Sequence, residues 1–511
     1  MATAQFISAD AAVRLIQDND AVGLIGGGGG LVEATCLHEA VERRFLETGK
    51  PENLTCIHAL GIGDREQRGM NRFAHEGMVK RVIGGHWVWS PRMQELAKEN
   101  KIEAYVLPGG VLMQLMREIA AKRPGLITHV GLGTFVDPRI DGGKMNAAAK
   151  ENLVELLTID KQTYLRYLPM SVDIALLKGS FADEDGNISV DQEPANVDIY
   201  AMAAAVHNCG GKVIFQVRER VERGALPARS VRIPAAVVDA VVVDENQRQG
   251  YDLVYDPSIS GEVRAPELAP VMPELTVRQI IARRAYAELK AGAVINYGFG
   301  IPDEVATIVA ARGEQENYYQ TIEHGTYGGT LLTGNLFGYA RNPSCMIDGP
   351  SQFDFYSGGG LDIAFLGFGE LDQKGSVNVS RLGGLTVGPG GFIDIAQNAR
   401  KVVFCGTFQA KGLKQRFGDG TLKIDRHGDI RKLVRQVEQI TFSGEQALSQ
   451  GQEVMYITER AVFRLEKHGV VLLEVAPGID LQQDVLDQMD FLPIMPVTPG
   501  LMAPSNFTAD F

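Results

Sequence analysis

The sequence predicts an α/β fold of two similar open-sheet domains, and three of its features carry that expectation. Short runs rich in apolar and β-branched residues alternate with longer helical patterns along the 511 residues. Several of these runs, such as Ala21-Val-Gly-Leu-Ile25 and Lys401-Val-Val-Phe404, are apolar at nearly every position. Strands have that pattern when helices cover both faces of a mainly parallel sheet. The second half of the chain also repeats the first.

In chain order, helices are expected over 11–17, 32–47, 276–291 and 302–311, with strands at 21–25, 236–243, 293–297 and 401–404. The stretch from Tyr255 to Pro273 is dense in proline and acidic residues. It reads as a linker, because proline neither continues a helix nor donates to a strand ladder. The expected domains are therefore 1–275 and 276–511. The repeat appears in three blocks. Val172-Asp-Ile-Ala-Leu-Leu falls on Leu361-Asp-Ile-Ala-Phe-Leu, Asp183-Glu-Asp-Gly on Asp372-Gln-Lys-Gly, and Lys212-Val-Ile-Phe on Lys401-Val-Val-Phe, all at an offset of 189 residues. Near the domain starts, Ala21-Val-Gly-Leu-Ile faces Ala293-Val-Ile-Asn-Tyr at an offset of 272. Blocks in the same order point to duplication rather than chance strand chemistry.

The net charge of −13 and pI near 5.3 argue against a nucleic-acid partner, which calls for a basic face. Five cysteines, widely spaced and without a CxxC pair, read as reduced thiols, not a disulfide frame or zinc site. No histidine spacing suggests a metal. The N-terminus lacks a basic region leading into an apolar one, and no apolar run approaches the ~20 residues a membrane helix needs. The expectation is a soluble, cytoplasmic protein with no metal and no membrane partner.

Three glycine loops are candidates for ligand contact. Gly26 to Gly30, including Gly28 and Gly29, lies between a strand and a helix, where N–H groups and the helix dipole can hold an anion. It is not a dinucleotide fingerprint, because position 31 is Leu31, and no P-loop motif is present. A flexible turn is the alternative. Gly298-Phe299-Gly300 holds the equivalent place in the second half, where Pro302, Asp303 and Glu304 suit a helix start. In the third loop, Gly388-Pro-Gly390-Gly391-Phe392, bare glycines let backbone N–H groups reach a reacting group. Donors aimed at a developing oxyanion are worth ~2.7–4 kcal/mol of barrier each. An ordinary turn fits the same residues.

In Thr321-Ile-Glu323-His324-Gly325 an expected strand ends in a loop, the place where open α/β sheets collect ligand sites. A carboxylate there can attack an activated acyl group. On local sequence alone Glu323 reads as a solvated turn residue, with His324 as a rival general base.

Longer stretches add to this reading. They include Phe73-Ala-His-Glu-Gly77, Gly85-His-Trp87, Gly131-Leu-Gly-Thr-Phe-Val-Asp-Pro-Arg139, Phe353-Asp-Phe-Tyr-Ser-Gly-Gly-Gly-Leu-Asp362 and Tyr456-Ile-Thr-Glu-Arg460. Over nearly its whole length the chain resembles the family I coenzyme A transferases, especially the propionate and acetate type. It is more distantly similar to the succinyl-CoA:3-oxoacid enzymes. The resemblance implies a nucleophilic glutamate at Glu323. It also implies an oxyanion loop at Gly388, Gly390, Gly391 and Phe392, and a CoA-contacting turn at Gly298, Phe299 and Gly300. It implies two similar domains with the site between them, a homo-oligomer (dimer or tetramer), and ping-pong transfer of CoA from a short-chain acyl-CoA to a carboxylate. No permanently bound cofactor is implied; the CoA thioester is substrate. Two departures from the family pattern, the polyglycine run with Gly28 and Gly29 and the residue His324, mark acyl-pocket candidates. An acyl-CoA hydrolase, a non-catalytic acyl-CoA sensor and a sugar-phosphate isomerase are the alternatives.

Overall fold

The computed structural model describes residues 4–266, 271–495, 498–509 and 511, so residues 267–270 of the expected linker lie outside the described residues. The chain forms two compact units. The first comprises Met1–Pro266, Ile322–Asp354 and Gly383–Asp394, and the second comprises Glu267–Thr321, Phe355–Leu382 and Ile395–Phe511. This corrects the expected split at 275. The chain leaves the first unit at Pro266 and then returns to it twice, so Glu323 belongs to the first unit and not to a C-terminal domain. Backbone hydrogen bonds hold the returning segments: Asn342 N–H donates to Ser258 O and Gly349 N–H to Val197 O, both at 2.8 Å, and Gly109 N–H donates to Gly390 O at 2.7 Å.

The first unit is built on an eight-stranded sheet. Its order is Gln5–Phe6, Ala240–Val243, Lys212–Val217, Ile174–Lys178, Ala21–Leu24, Leu54–His58, Val79–Gly84 and Glu103–Val106. Every neighbouring pair is parallel. The central strands Ile174–Lys178 and Ala21–Leu24 are buried at every position, which is why their sequences do not alternate. In the second unit, residues 319–321, Val294–Tyr297, Ile363–Gly367, Lys401–Cys405 and Glu453–Ile457 pair in parallel. Ala461–Glu466 and Gly469–Val475 then extend that sheet antiparallel.

The duplication appears in the hydrogen-bond register. Ile174 pairs with both Val22 and Lys212, and Ile363 pairs with both Ile295 and Lys401. Asp173 accepts the N–H of Ala21 at 2.8 Å, and Asp362 accepts that of Val294 at 2.9 Å. Asp183 Oδ1 accepts from Asp185 and Asn187, as Asp372 Oδ1 does from Lys374 and Ser376. The later blocks keep the offset of 189, but Ala21 matches Val294 and not Ala293. The shared Ala-Val pair had set the sequence alignment one residue out of register.

The helices are shorter than their patterns. They run Ala9–Val13, Thr35–Thr48, Val277–Tyr286 and Asp303–Ala311. Val32, at φ +54°, cannot join a right-handed helix, so that helix starts only at Thr35. Thr276 caps its helix by accepting the N–H of Gln279 at 3.1 Å.

Candidate active site

Glu323 directly follows the strand Tyr319–Ile322, on a tightly specified turn. Gly325 closes that turn at φ +113°, where a Cβ would overlap the Ile347 carbonyl. Gly325 N–H donates to Ile322 O at 3.0 Å, and Ile347 N–H donates to Gly325 O at 2.8 Å. The Glu323 side chain is partly buried, and among the described residues its carboxylate has no hydrogen bond and no ion pair. Burial pushes its pKa up to about 7.

The loop at 388–391 lies against this carboxylate. Gly388 (φ +71°) and Gly390 (φ +57°) are both left-handed, a conformation open to glycine. A Cβ on Gly391 would collide with Glu323 Oε2, so a bare α-carbon there is what lets the carboxylate approach. The amides are fewer than the glycines suggest. Gly390 N–H donates to Gly85 O at 2.8 Å and is not free for an oxyanion, which corrects its expected role as a donor. Pro389 has no N–H, and Phe392 donates to Pro389 O at 3.1 Å as it enters the helix Phe392–Asn398. Within the loop, the N–H groups of Gly388 and Gly391 meet no acceptor among the described residues.

Asp394 lies just beyond the loop and is fully buried. Its two oxygens accept the N–H groups of Gly110 and Val111, each at 3.1 Å, at the start of the helix Gly109–Ala120. Burial raises its pKa to about 8 against the pull of these donors, and the Glu323 carboxylate adds to the rise.

His324 is 3% exposed, with burial lowering its pKa to about 4. A Cβ on Gly338 would stand 3.3 Å from its Nε2. It is a buried neutral ring beside Gly338 and not a general base open to solvent. The polyglycine run, with the acyl-pocket candidates Gly28 and Gly29, is closely packed and not open. The Trp89 indole occupies the space over Gly28, and the Asn335 carbonyl abuts Gly29. Gly29 O accepts from Tyr251 N–H at 2.7 Å and from Tyr339 Oη at 3.3 Å. Glu33 braces the same region by accepting from Gly63 N–H at 3.0 Å and from the Tyr251 hydroxyl, and burial pushes its pKa up to about 8.

The turn at 298–300 lies in the second unit. Gly298 N–H donates to Phe365 O at 2.8 Å, and Gly300 N–H donates to Asp303 Oδ2 at 3.1 Å. Phe299 is 46% exposed, and a Cβ on Gly300 would meet nothing within 4 Å. The surface there is open. Among the described residues, no group of three or more His, Cys, Asp or Glu could hold a metal, and no helix is long and apolar enough to cross a membrane.

A family model described as coenzyme A transferase matches residues 6–244. Acetate CoA-transferase YdiF of Escherichia coli K12 is 44% identical over 490 residues, covering 96% of this chain and 92% of that protein. Caffeate CoA-transferase of Acetobacterium woodii is 45% identical over 502 residues, covering 96% and 95% respectively. The chain belongs to the coenzyme A transferase family. A solved structure of acyl-CoA transferase YdiF from Escherichia coli O157:H7, in a thioester complex with CoA, matches this transferase at a TM-score of 0.94 with 42% identity. That match covers 99% of this chain and 97% of that one. The α/β open-sheet fold and the transfer of CoA are thereby those of this transferase.

Sequence reasoning left Asp394, two residues past the loop Gly388–Phe392, without a role, because the helix start that it caps lies 283 and 284 residues away.

Proposed function

We propose that this transferase moves CoA from a short-chain acyl-CoA to a carboxylate of the acetate or propionate type, through a glutamyl-CoA thioester on Glu323. The observation that carries this reading is the unpaired Glu323 carboxylate against Gly391, beside a loop with two amides left open. A carboxylate that burial keeps from water and from counter-ions is a strong nucleophile once ionised. Glu323 attacks the thioester carbonyl, and CoA leaves as thiolate to give an acyl-glutamyl anhydride. The thiolate then attacks the glutamyl carbonyl, releasing the first carboxylate and leaving CoA on Glu323. An acceptor carboxylate reverses both steps. Each step exchanges one activated carboxyl for another, so no ATP is needed.

The N–H groups of Gly388 and Gly391 are assigned to the oxyanion, with Gly390 shaping the loop and Phe392 anchoring it. Gly298, Phe299 and Gly300 are assigned to CoA, which the open surface around Gly300 supports. His324 is assigned to the acyl wall, together with the Trp89-filled run at Gly28 and Gly29.

Acetyl-CoA alone should leave a CoA adduct on Glu323, read by intact-protein and peptide mass spectrometry. Glu323→Ala should abolish transfer. Glu323→Asp should lose most of it, because the shorter arm moves the oxygen by ~1 Å. Turnover by the Ala variant, or an adduct elsewhere, overturns the assignment. Thiol release that is independent of added carboxylate would mark a hydrolase instead.

A further inference from the structure

We propose that His86 is a further catalytic residue of this transferase, donating its Nε2–H to the acyl carbonyl oxygen while Glu323 attacks. The proposal rests on the Glu323 reading above. Its starting point is the shortage of amides in the glycine loop, where Pro389 has no N–H and Gly390 donates to Gly85.

The bond that removes Gly390 from the donors also places His86. Gly390 N–H donates to Gly85 O at 2.8 Å, and Trp87 N–H donates to Val387 O at 2.7 Å. These two bonds flank His86 and clamp its backbone against the loop. A Cβ on Gly388 would stand 3.1 Å from His86 Cα. A Cβ on Gly390 would stand 4.0 Å from His86 Cδ2 and 4.0 Å from Glu323 Oε1. The imidazole edge and the nucleophilic oxygen therefore border the same small space.

The other edge of the ring is turned away. A Cβ on Gly61 would stand 2.6 Å from His86 Nδ1, so Nδ1 faces the Gly61 backbone, while Cδ2, on the other side of the ring, is the ring atom nearest Gly390. Burial, together with His58 and Arg65 nearby, holds the ring's pKa down to about 4. Near pH 7 the ring is neutral and carries one N–H, which suits a donor that keeps its proton.

In the step itself, a Glu323 oxygen bonds to the carbonyl carbon and the C=O electron pair moves onto oxygen. His86 hydrogen-bonds that oxygen without transferring its proton. The pair returns as the C–S bond breaks and CoA leaves as thiolate. Removing one such donor lowers kcat by about 100- to 1000-fold in other acyl-transfer sites.

The test compares wild type with His86→Ala, His86→Gln and His86→Met in acetyl-CoA:propionate transfer. Gln places an amide N–H near the Nε2 position, and Met matches its length without a donor. Thermal melts confirm the folded state of each variant. His86→Ala and His86→Met should lower kcat about 100-fold or more, with KM for both substrates changed less than about threefold. His86→Gln should recover at least about tenfold. Adduct formation on Glu323 from acetyl-CoA alone should slow in parallel with kcat. Adduct forming in His86→Ala as fast as in wild type, or folded Gln and Met variants of equal activity, overturns the proposal for His86 alone. No adduct in wild type overturns the Glu323 reading instead.

Discussion

A carboxylate that must ionise in a poorly solvated place leaves two pH signatures. In the proposed mechanism the attacking group is the anionic form of Glu323, so kcat/KM for acyl-CoA should rise with pH through about 7 and level off above it. The effect on stability has the opposite sign. The folded pKa lies above the ordinary glutamate value of 4.5, so its contribution is present below that value and is lost as pH rises through about 7. Glu323→Gln carries no charge and should melt higher than wild type at pH 8 but not at pH 4. The gain should be on the order of 2 kcal/mol, since solvent at the partly exposed side chain screens some of the cost. Paired melts of the two proteins from pH 4 to 8 measure this. Locally, Thr-Ile-Glu-His-Gly gives no hint of such an environment, and Glu323 became legible only through motifs spread along the chain. His86 stayed illegible because the strands and loop that aim it lie roughly 300 residues apart in sequence.

The glycine loop shows how one element can be recognised while its chemistry is misjudged. Its glycines pointed to a close approach, and Gly391 does lie directly against the Glu323 carboxylate. Which N–H groups remain open depends on the segment 85–87, and no spacing within the loop encodes that. The helix Gly109–Ala120 depends on the same neighbourhood. Pro108 at its N-cap has no side-chain hydrogen bond, and Asp394 supplies the cap from 283 and 284 residues away. Asp394→Ala should therefore cost about 1–2 kcal/mol as a lost cap, measured by denaturant titration. It should lower kcat as well, because the helix start is tied to Gly390 through Gly109. Asp394→Asn, which keeps one carbonyl acceptor, should recover part of the stability.

Across the molecule, the duplication was legible because each repeat carries the same strand, Asx turn and strand in sequence. The one-residue error at Ala21 shows the limit of that reading, since apolar strands slide past one another until hydrogen bonds fix the register. The interleaving of the two units was not legible. A proline-rich stretch near 255–273 marked one crossing, but the return at Ile322 has no compositional break, and the Gly383-Gly384 pair at the other reads only as a turn.

That interleaving has a consequence for any attempt to cut the protein in two. A polypeptide ending at Pro266 lacks the segments Ile322–Asp354 and Gly383–Asp394 of its own unit, and with them Glu323 and the glycine loop. Co-expressed as separate chains broken after Pro266, the two pieces should elute together in gel filtration and restore transfer by complementation. Neither piece alone should carry activity. A break after Pro266 would sever the covalent chain without dissecting the machine.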